Sequence, residues 1–191
     1  MIRDDLNAAC GFRLGTRGSP LAIAQATMVK QALEQAHGWH GVEIIPIRSS
    51  GDRITDQPLA DLGGKALWTM ELDQALLDGK VDACVHSMKD VESIRPERIV
   101  LAAMLPRADV RERLIGATSI AALPPNAVIG TSSPRRAAQV RHLRPDLHIA
   151  AIRGNVATRL AKLESGEMDA TLLAAAGLDR LGGVDVGAVV P

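Results

Sequence analysis

Two stretches of the sequence have the same form, GTRGSPLAIAQ at residues 15–25 and GTSSPRRAAQV at residues 130–140. Each places a Ser-Pro pair directly before an alanine-rich run, which is typical of a helix whose first turn is capped by the serine and fixed by the proline. The first turn of a helix exposes unpaired N–H groups and carries about half a positive charge. Both stretches therefore predict helix N-termini that are suited to binding an anion.

Basic side chains occur at the same kind of junction. Arg135 and Arg136 directly follow the second Ser-Pro pair, in a first turn where acidic residues are usually preferred. That arrangement is favourable if an anion occupies the site, and arginine is well suited to pairing with carboxylates. Further basic residues at predicted strand-to-helix junctions are Arg17, Lys89, Arg153 and Arg159. Together they predict a ligand with several carboxylates or phosphates.

Asp90 directly follows Lys89 in the stretch HSMKD. Nearby positive charge favours the ionised form of a carboxylate. An ionised carboxylate among basic side chains can stabilise a positive charge that develops on a substrate, or take up and return a proton. The alternative is a simple surface ion pair between Lys89 and Asp90. His86, earlier in the same stretch, is expected to be a structural residue.

Short apolar runs alternate with helical patterns along the chain, which predicts βαβ units and an α/β fold. The predicted strands are 12–15, 42–48, 81–87, 99–105, 112–116, 127–130, 147–152 and 168–174. The predicted helices lie within 19–38, 67–79, 133–143, 155–166 and 175–182, and a loop is expected at 49–64. Ligands of open α/β sheets bind at the carboxyl ends of the strands, so this order of elements would gather the basic residues at one edge.

A second pair of matching stretches, DGKVDACV at 78–85 and SGEMDATLL at 165–173, occurs in the same order as the two Ser-Pro stretches. Two matched pairs predict two similarly wound domains, although general α/β sequence patterns could also produce the match by coincidence. The predicted organisation is an N-terminal tail at 1–11, an α/β domain at 12–105, a hinge region at 106–114 and a second α/β domain at 115–191.

Composition restricts the classes of partner. The 191 residues include 22 basic and 22 acidic side chains, so the formal net charge is zero and general attraction to nucleic acid or to an anionic membrane is not indicated. A basic helical face at 135–144 that touches nucleic acid is the weaker alternative. The sequence contains no secretory signal, membrane-spanning run or metal-binding motif, and the protein is expected to be cytoplasmic and without a metal.

Seven separated stretches, in order, resemble the porphobilinogen deaminase (hydroxymethylbilane synthase) family. They lie between residues 12 and 182 and read GTRGSPLAIAQ, SSGDRITD, VHSMKD, GTSSPRRAAQV, RPDL, RGNVATRLAKL and DATLLAAAGLDRLG. The resemblance implies a transferase of tetrapyrrole (haem and porphyrin) biosynthesis. Such an enzyme condenses porphobilinogen molecules head to tail, with release of ammonia, to give hydroxymethylbilane. It also implies a fold similar to type II periplasmic binding proteins, with a cleft between two α/β domains and a small third domain.

The resemblance further implies a dipyrromethane cofactor and roles for individual residues. Asp90 matches the family's catalytic aspartate, and Lys89 lies beside it in the same catalytic motif. The residues implied to hold the acetate and propionate groups of cofactor and substrate are Arg17, Ser19, Thr131, Ser132, Ser133, Arg135, Arg136, Arg153, Gly154, Asn155 and Arg159. Each porphobilinogen carries carboxylates, so a chain of pyrroles is a polyanion that needs many fixed cations. The full-length protein is expected to be a monomer.

The sequence also departs from the family pattern. We expect the third domain to be absent, together with the segment that returns to the first domain. The cofactor-bearing cysteine of the family lies in that third domain, and neither Cys10 nor Cys84 matches it. Glu92 stands where the family has proline, and ALWTMELD departs from a stretch with Gly, Phe and Lys. The alternatives are therefore a non-catalytic anion-binding module of the same two-lobed fold, or an inactive fragment of the enzyme.

Overall fold

The computed structural model describes residues 11–49, 68–183 and 185–190. Cys10, the predicted N-terminal tail before Gly11 and the predicted loop after Ser49 lie outside the described residues. The chain divides into two compact units, Met1–Leu105 and Pro106–Pro191, and each has its own sheet.

A three-stranded parallel sheet forms the centre of the first unit. Its strands are β1 (Arg13–Arg17), β2 (Glu43–Ile47) and β3 (Ala83–Cys84), in the spatial order β2-β1-β3. Among the described residues, the helices beside the sheet are α1 (Pro20–His37) and α2 (Met70–Leu77), and a 3₁₀ turn follows β3 at Met88–Asp90. The core is aliphatic and includes Leu14, Ala26 and Val42.

Helix α1 begins and ends at the residues that the sequence predicts. The Ser19 hydroxyl accepts a hydrogen bond from the Ala22 N–H at 3.3 Å, and Pro20 occupies the first turn. The helix ends at Gly38, whose φ of 65° is in the left-handed region that glycine tolerates. Ala26 is completely buried, and its small side chain allows α1 to lie close to the sheet.

The second unit contains a five-stranded mixed sheet. Its strands are β4 (Glu112–Ile115), β5 (Val128–Gly130), β6 (His148–Ala150), β7 (Ala170–Ala174) and β8 (Ala188–Val190), in the order β6-β5-β7-β4-β8. The first three in this order are parallel, whereas β4 runs antiparallel to both β7 and β8. The helices are α3 (Pro134–Leu143), α4 (Val156–Glu164) and α5 (Ala175–Arg180).

The parallel part of each sheet is wound in the same way. In both units the first βαβ strand is central, the second lies on one side and the third on the other, as the orders β2-β1-β3 and β6-β5-β7 show. The predicted α/β fold with two similarly wound units is therefore confirmed. Because the strands are parallel, their carboxyl ends and the helix N-termini that follow them lie at one edge of each sheet.

The core of the second unit lies between its sheet and helix α3. Leu114, Ile129 and Val140 are fully buried there. The hydroxyl of the completely buried Thr171 donates to the Gly130 carbonyl at 2.8 Å, which fixes β7 beside the end of β5. The sheet edge that carries the candidate site therefore rests on a packed apolar layer.

Some predicted strands differ from the structure. The strand predicted at 99–105 is wrong: these residues form no strand, and Val100, Leu101 and Met104 are exposed. An apolar run forms a strand only when a neighbouring chain supplies hydrogen-bond partners, and no described strand pairs with this one. Strand β3 is shorter than the predicted 81–87, and β8 was not predicted.

The predicted hinge region at 106–114 overlaps β4, which begins at Glu112. The division at Leu105 lies where the first predicted domain ends, whereas residues 112–114 are paired within the second sheet. The hinge itself stays a prediction.

Substitution of Gly116 tests the close approach of the chain after β4. Its φ is 102°, and an added Cβ would lie 2.2 Å from the carbonyl oxygen of Asp169. We expect Gly116→Ala to lower the free energy of unfolding by about 2–4 kcal/mol, since it combines backbone strain with a steric clash. Urea unfolding followed by circular dichroism measures the loss.

Gly166→Ala is the matched control for this substitution. Gly166 also has a positive φ, 75°, but an added Cβ there meets nothing within 4 Å. The expected cost is about 1 kcal/mol, from backbone conformation alone. Equal losses in the two variants would show that the contact with Asp169 is not the constraint at Gly116.

Candidate anion-binding and catalytic site

The N-terminus of α3 follows the end of β5 and is held by a chain of hydrogen bonds. The Ser133 hydroxyl accepts from the Arg136 N–H at 3.4 Å, and the Ser133 N–H donates to the Thr131 hydroxyl at 3.2 Å. The Thr131 N–H in turn donates to the Ala150 carbonyl at 2.9 Å. Thr131 is buried. The first turn of α3 is therefore fixed to the ends of both β5 and β6.

Ser132 connects this turn to the next strand-to-helix junction. Its hydroxyl donates to the Ile152 carbonyl at 2.6 Å and accepts from the Ile152 N–H at 3.1 Å. The half-buried Arg153 and then Gly154 follow directly in the chain. Asn155 caps α4, because its Oδ1 accepts from the Thr158 N–H at 2.9 Å. Two capped helix N-termini therefore lie at neighbouring strand ends of the same sheet.

Arg135 and Arg136 share a carboxylate partner within the chain, Glu112 at the start of β4. The Glu112 Oε1 accepts from Arg135 Nη2 at 2.7 Å, and Arg136 Nη2 donates to Oε2 at 2.5 Å. Arg136 Nη1 also donates to the Leu172 carbonyl at 3.0 Å. The side chain of Arg136 is only 14% exposed, whereas that of Arg135 is 62% exposed. Arg136 is thus enclosed by internal partners, and Arg135 faces solvent.

Glu112 is ionised in this setting. Burial disfavours its charged form, but hydrogen bonds from Arg136 and Arg135 outweigh that effect and lower the pKa of the Glu112 carboxyl. The two arginines and Glu112 together carry one net positive charge. Sequence reasoning missed Glu112, since only the antiparallel pairing of Glu112 with Ala174 places it at this edge of the sheet.

Arg159, on α4, differs from Arg135 and Arg136 because no carboxylate of the described residues pairs with its positive charge. It is half-buried, and its Nε donates to the Gly154 carbonyl at 3.0 Å. Burial and then the positive charge of Arg136 lower the pKa of Arg159. A bound anion at Arg159 would remove an electrostatic cost that the folded chain otherwise carries.

In the first unit, Arg17 ends β1 and Ser19 caps the helix that follows. The guanidinium carbon of Arg17 lies 3.9 Å from the ring centroid of Trp68, which is a cation–π contact. The hydroxyl of the buried Thr16 donates to the Ala22 carbonyl at 3.2 Å and fixes the same turn. Sequence reasoning did not assign Trp68, because nothing in its spacing indicates that it lies against Arg17.

The Lys89–Asp90 turn lies after β3, the strand next to β1. Within the turn the Asp90 N–H donates to the Ser87 carbonyl at 2.8 Å. The Ser87 hydroxyl donates to Gln25 Oε1, on α1, at 2.9 Å. Lys89 is exposed and Asp90 half-buried. Both residues are described, and no ion pair joins them, in contrast to the simple surface pair that was the alternative.

His86 lies between the charged groups of the first unit. Burial lowers the pKa of His86, and the charges of Asp73, Arg95, Asp90 and Arg17 all act on it. The imidazole is therefore neutral at neutral pH, and Arg17 and Asp90 both lie within electrostatic range of it. Cys84 packs as a small apolar residue nearby, where burial raises the pKa of its thiol to about 12.

Within each unit, the predicted residues lie at the carboxyl ends of parallel strands or in the turns and helices that follow them. In the second unit these are Thr131, Ser132, Ser133, Arg135, Arg136, Arg153, Gly154, Asn155 and Arg159; in the first they are Arg17, Ser19, Lys89 and Asp90. Over residues 11–49, 68–183 and 185–190, no cluster of three or more His, Cys, Asp or Glu could hold a metal ion. In that same part of the chain, no helix has the length and apolar character needed to cross a membrane.

Comparison with known proteins identifies a family. The family model "Porphobilinogen deaminase, dipyromethane cofactor binding domain" matches residues 12–189. The porphobilinogen deaminase of Sphingopyxis alaskensis is 61% identical over 185 residues, which is 93% of this chain and 59% of that protein. The chloroplastic porphobilinogen deaminase of Oryza sativa subsp. japonica is 51% identical over 176 residues, 89% of this chain and 49% of the relative.

A third relative belongs to the same family. The porphobilinogen deaminase of Nitrobacter hamburgensis is 53% identical over 173 residues, covering 88% of this chain and 55% of the relative. The chain thus spans between 49% and 59% of the length of these relatives. Among solved structures, an ancestral arginine-binding protein bound to arginine matches with a TM-score of 0.45 and 13% identity, over 94% of this chain and 79% of that one.

The family match covers the stretches that form both strand-end clusters, the Ser-Pro turns and the Lys89–Asp90 turn. The length of the match and the identity of the relatives lead to one conclusion: the chain belongs to the porphobilinogen deaminase family.

Proposed function

We propose that this chain is the cofactor- and substrate-binding part of an enzyme that condenses porphobilinogen head to tail, with loss of ammonia, to give hydroxymethylbilane for tetrapyrrole synthesis. The observation that carries the proposal is Arg159, a half-buried guanidinium close to Arg136 and without a carboxylate partner among the described residues. It lies beside two capped helix N-termini, which favour anions. A ligand with several carboxylates suits this arrangement.

The dipyrromethane cofactor that the family implies fits the residues of the second unit. Its side chains end in carboxylates, and the uncompensated charge of Arg159 calls for one. The first turns of α3 and α4 supply N–H donors, and Ser132 and Ser133 fix those turns. When bound, dipyrromethane supplies the pyrrole on which the product chain is built. Cys84 does not match the family's attachment cysteine, and Cys10 lies outside the described residues.

Arg135 and Arg136 have different roles in this proposal. Arg136 is held by Glu112 and by the Leu172 carbonyl, so it mainly provides a fixed positive charge and supports the site wall. Arg135 is exposed and gives one hydrogen bond each to Glu112 and Gln139. It can turn toward a substrate carboxylate without uncovering a buried charge. Arg153, Gly154 and Asn155 remain predicted contacts of the same ligand.

Asp90 is the proposed catalytic carboxylate. Loss of ammonia breaks the C–N bond of the aminomethyl group and leaves positive charge on the pyrrole that carried it. The Asp90 carboxylate would stabilise that charge through the pyrrole N–H. After the new carbon–carbon bond forms, the attacking pyrrole loses a proton, which Asp90 would accept and pass on. The exposed ammonium of Lys89 would attract the substrate's carboxylates to this turn.

The remaining predictions concern the whole protein. We propose that Arg17, Ser19, Lys89 and Asp90 of the first unit also take part in binding the substrate and the cofactor. A cytoplasmic location, a monomeric full-length protein and the absence of a nucleic-acid partner likewise stay predictions from the sequence.

Neutralising Arg159 tests the anion site. We expect Arg159→Gln to weaken calorimetric binding of porphobilinogen by about tenfold or more, because a hydrogen bond between charged groups contributes about 1.5–3 kcal/mol. Arg141→Gln, an exposed arginine on α3, is the matched control and should leave the affinity unchanged. Equal affinities for the two variants would remove Arg159 from the site.

Asp90→Asn tests the catalytic assignment. The assay follows ammonia release from porphobilinogen by the natural full-length protein. We expect the rate to fall by about 10²–10⁴-fold, the range for loss of a group that acts in proton transfer, with the circular dichroism spectrum retained. Glu97→Gln, an exposed carboxylate of the same unit, is the control.

Two outcomes would contradict the proposal in different ways. Normal turnover by Asp90→Asn would show that another group does the chemistry. Binding of porphobilinogen without ammonia release, by the unsubstituted protein, would favour a non-catalytic anion-binding module instead.

A further inference from the structure

We propose that Arg95 and Asp73 are positioning residues that hold the Lys89–Asp90 turn against α2. The inference deepens the proposed function and rests on it, because positioning matters for catalysis only if Asp90 acts on substrate. Nothing in the family motifs singles out Arg95, which lies outside the HSMKD stretch and in a segment without regular structure. The argument comes from contacts, burial and the charges around His86.

Arg95 forms a largely buried ion-pair network. Its Nη2 pairs with the Oδ1 of Asp73 on α2, and its Nη1 donates to Glu92 Oε2 at 3.2 Å. The side chains of Arg95 and Asp73 are each only 12% exposed. An arginine so far from solvent is retained only where its charge is paired and hydrogen-bonded. The network therefore fixes one position of the chain after Asp90 relative to α2.

The turn that carries Asp90 lies between two side-chain contacts, one to α1 and one to α2. Before the turn, the Ser87 hydroxyl is bonded to Gln25 of α1 at 2.9 Å. After the turn, Arg95 is bonded to Asp73 of α2, and the buried Val91 packs in between. Regular secondary structure fixes this segment only over Met88–Asp90. Side-chain contacts, rather than a strand or a long helix, therefore determine where the Asp90 carboxylate lies.

Removing one partner has a different effect from removing both. A buried ion left without its partner is strongly destabilising, whereas replacing both partners by neutral groups of similar shape can be nearly neutral. Arg95→Gln alone would leave Asp73 unpaired, and α2 and the turn would separate to let water reach it. The double substitution Asp73→Asn with Arg95→Gln would allow an amide–amide hydrogen bond and retain folding.

His86 provides a direct reporter of this network. The charged groups that act on it are Asp73 from α2, Arg95 and Asp90 from the segment after β3, and Arg17 from the end of β1. Asp73 raises and Arg95 lowers the pKa of His86, so their effects oppose each other in the intact pair. Loss of Arg95 alone should raise the pKa of His86, and loss of Asp73 alone should lower it further.

The experiment compares Arg95→Gln, Asp73→Asn, Arg95→Lys and the double variant, with Arg98→Gln as the control. Arg98 is an exposed arginine of the same segment. NMR titration follows the His86 ring, and amide spectra follow Lys89 and Asp90. Ammonia release from porphobilinogen by the natural full-length protein and its variants gives kcat and KM.

For Arg95→Gln we expect the Lys89 and Asp90 amide signals to shift and the pKa of His86 to rise. We expect kcat to fall by about tenfold to a hundredfold, in the range that a displacement of about 1 Å can cost, with KM nearly unchanged. Arg95→Lys should recover part of kcat, because it restores the charge without the second hydrogen bond. Arg98→Gln should change none of these quantities.

The outcomes separate this inference from the proposed function. Unshifted turn amides with normal kcat in Arg95→Gln, or equal losses of kcat in Arg95→Gln and Arg98→Gln, would overturn the inference. So would general unfolding of the double variant, since the pair would then serve overall stability. If the unsubstituted protein releases no ammonia, the proposed function fails, while the amide and His86 measurements still report whether Arg95 positions the turn.

Discussion

Charge compensation at the strand ends of the second unit determines what its site can bind. Parallel pairing places the N-termini of α3 and α4 and several arginines at one sheet edge, and positive charge accumulates there. Glu112, arriving on an antiparallel strand, neutralises part of it. Arg159 retains its uncompensated charge. The Glu112 carboxylate therefore stabilises this edge of the sheet, and the remaining positive charge favours an anion there.

In the first unit, the turn after β3 carries Asp90, the carboxylate that is proposed to act on substrate. Among the described residues no ion pair involves Asp90, while the backbone around it is held by neighbours with partners of their own. Burial lowers the pKa of His86, so its neutral imidazole adds no third positive charge beside Arg17 and Arg95.

Local signals in the sequence predicted those parts of the fold that depend on neighbours in the chain. Helix α1 begins after Ser19 and ends at Gly38, as expected, and Ser133 and Asn155 cap their helices. Such caps can be read from the sequence because an N-cap contact spans only three residues. The strand expected at 99–105 failed because an apolar run does not reveal whether a partner strand exists.

Contacts across the sheet were beyond sequence reasoning for the same reason. Glu112 meets Arg136 only through the register of β4 with β7, and Trp68 meets Arg17 only through packing. The motifs identified the candidate site residues, but their roles in cofactor and substrate binding stay proposals. What the motifs could not show is which of these side chains already has a partner within the chain, as Arg136 does and Arg159 does not among the described residues.

The stacking of Arg17 on Trp68 has a spectroscopic consequence. The chain has two tryptophans, and Trp39 is enclosed by Phe12 and His37, with ring centroids at 5.0 and 4.7 Å. Trp68 instead lies against the guanidinium of Arg17. A ligand that draws the guanidinium away changes the electric field at that ring and so its emission wavelength, while Trp39 contributes a constant background. If Arg17 binds ligand as proposed, the fluorescence of Trp68 reports that binding.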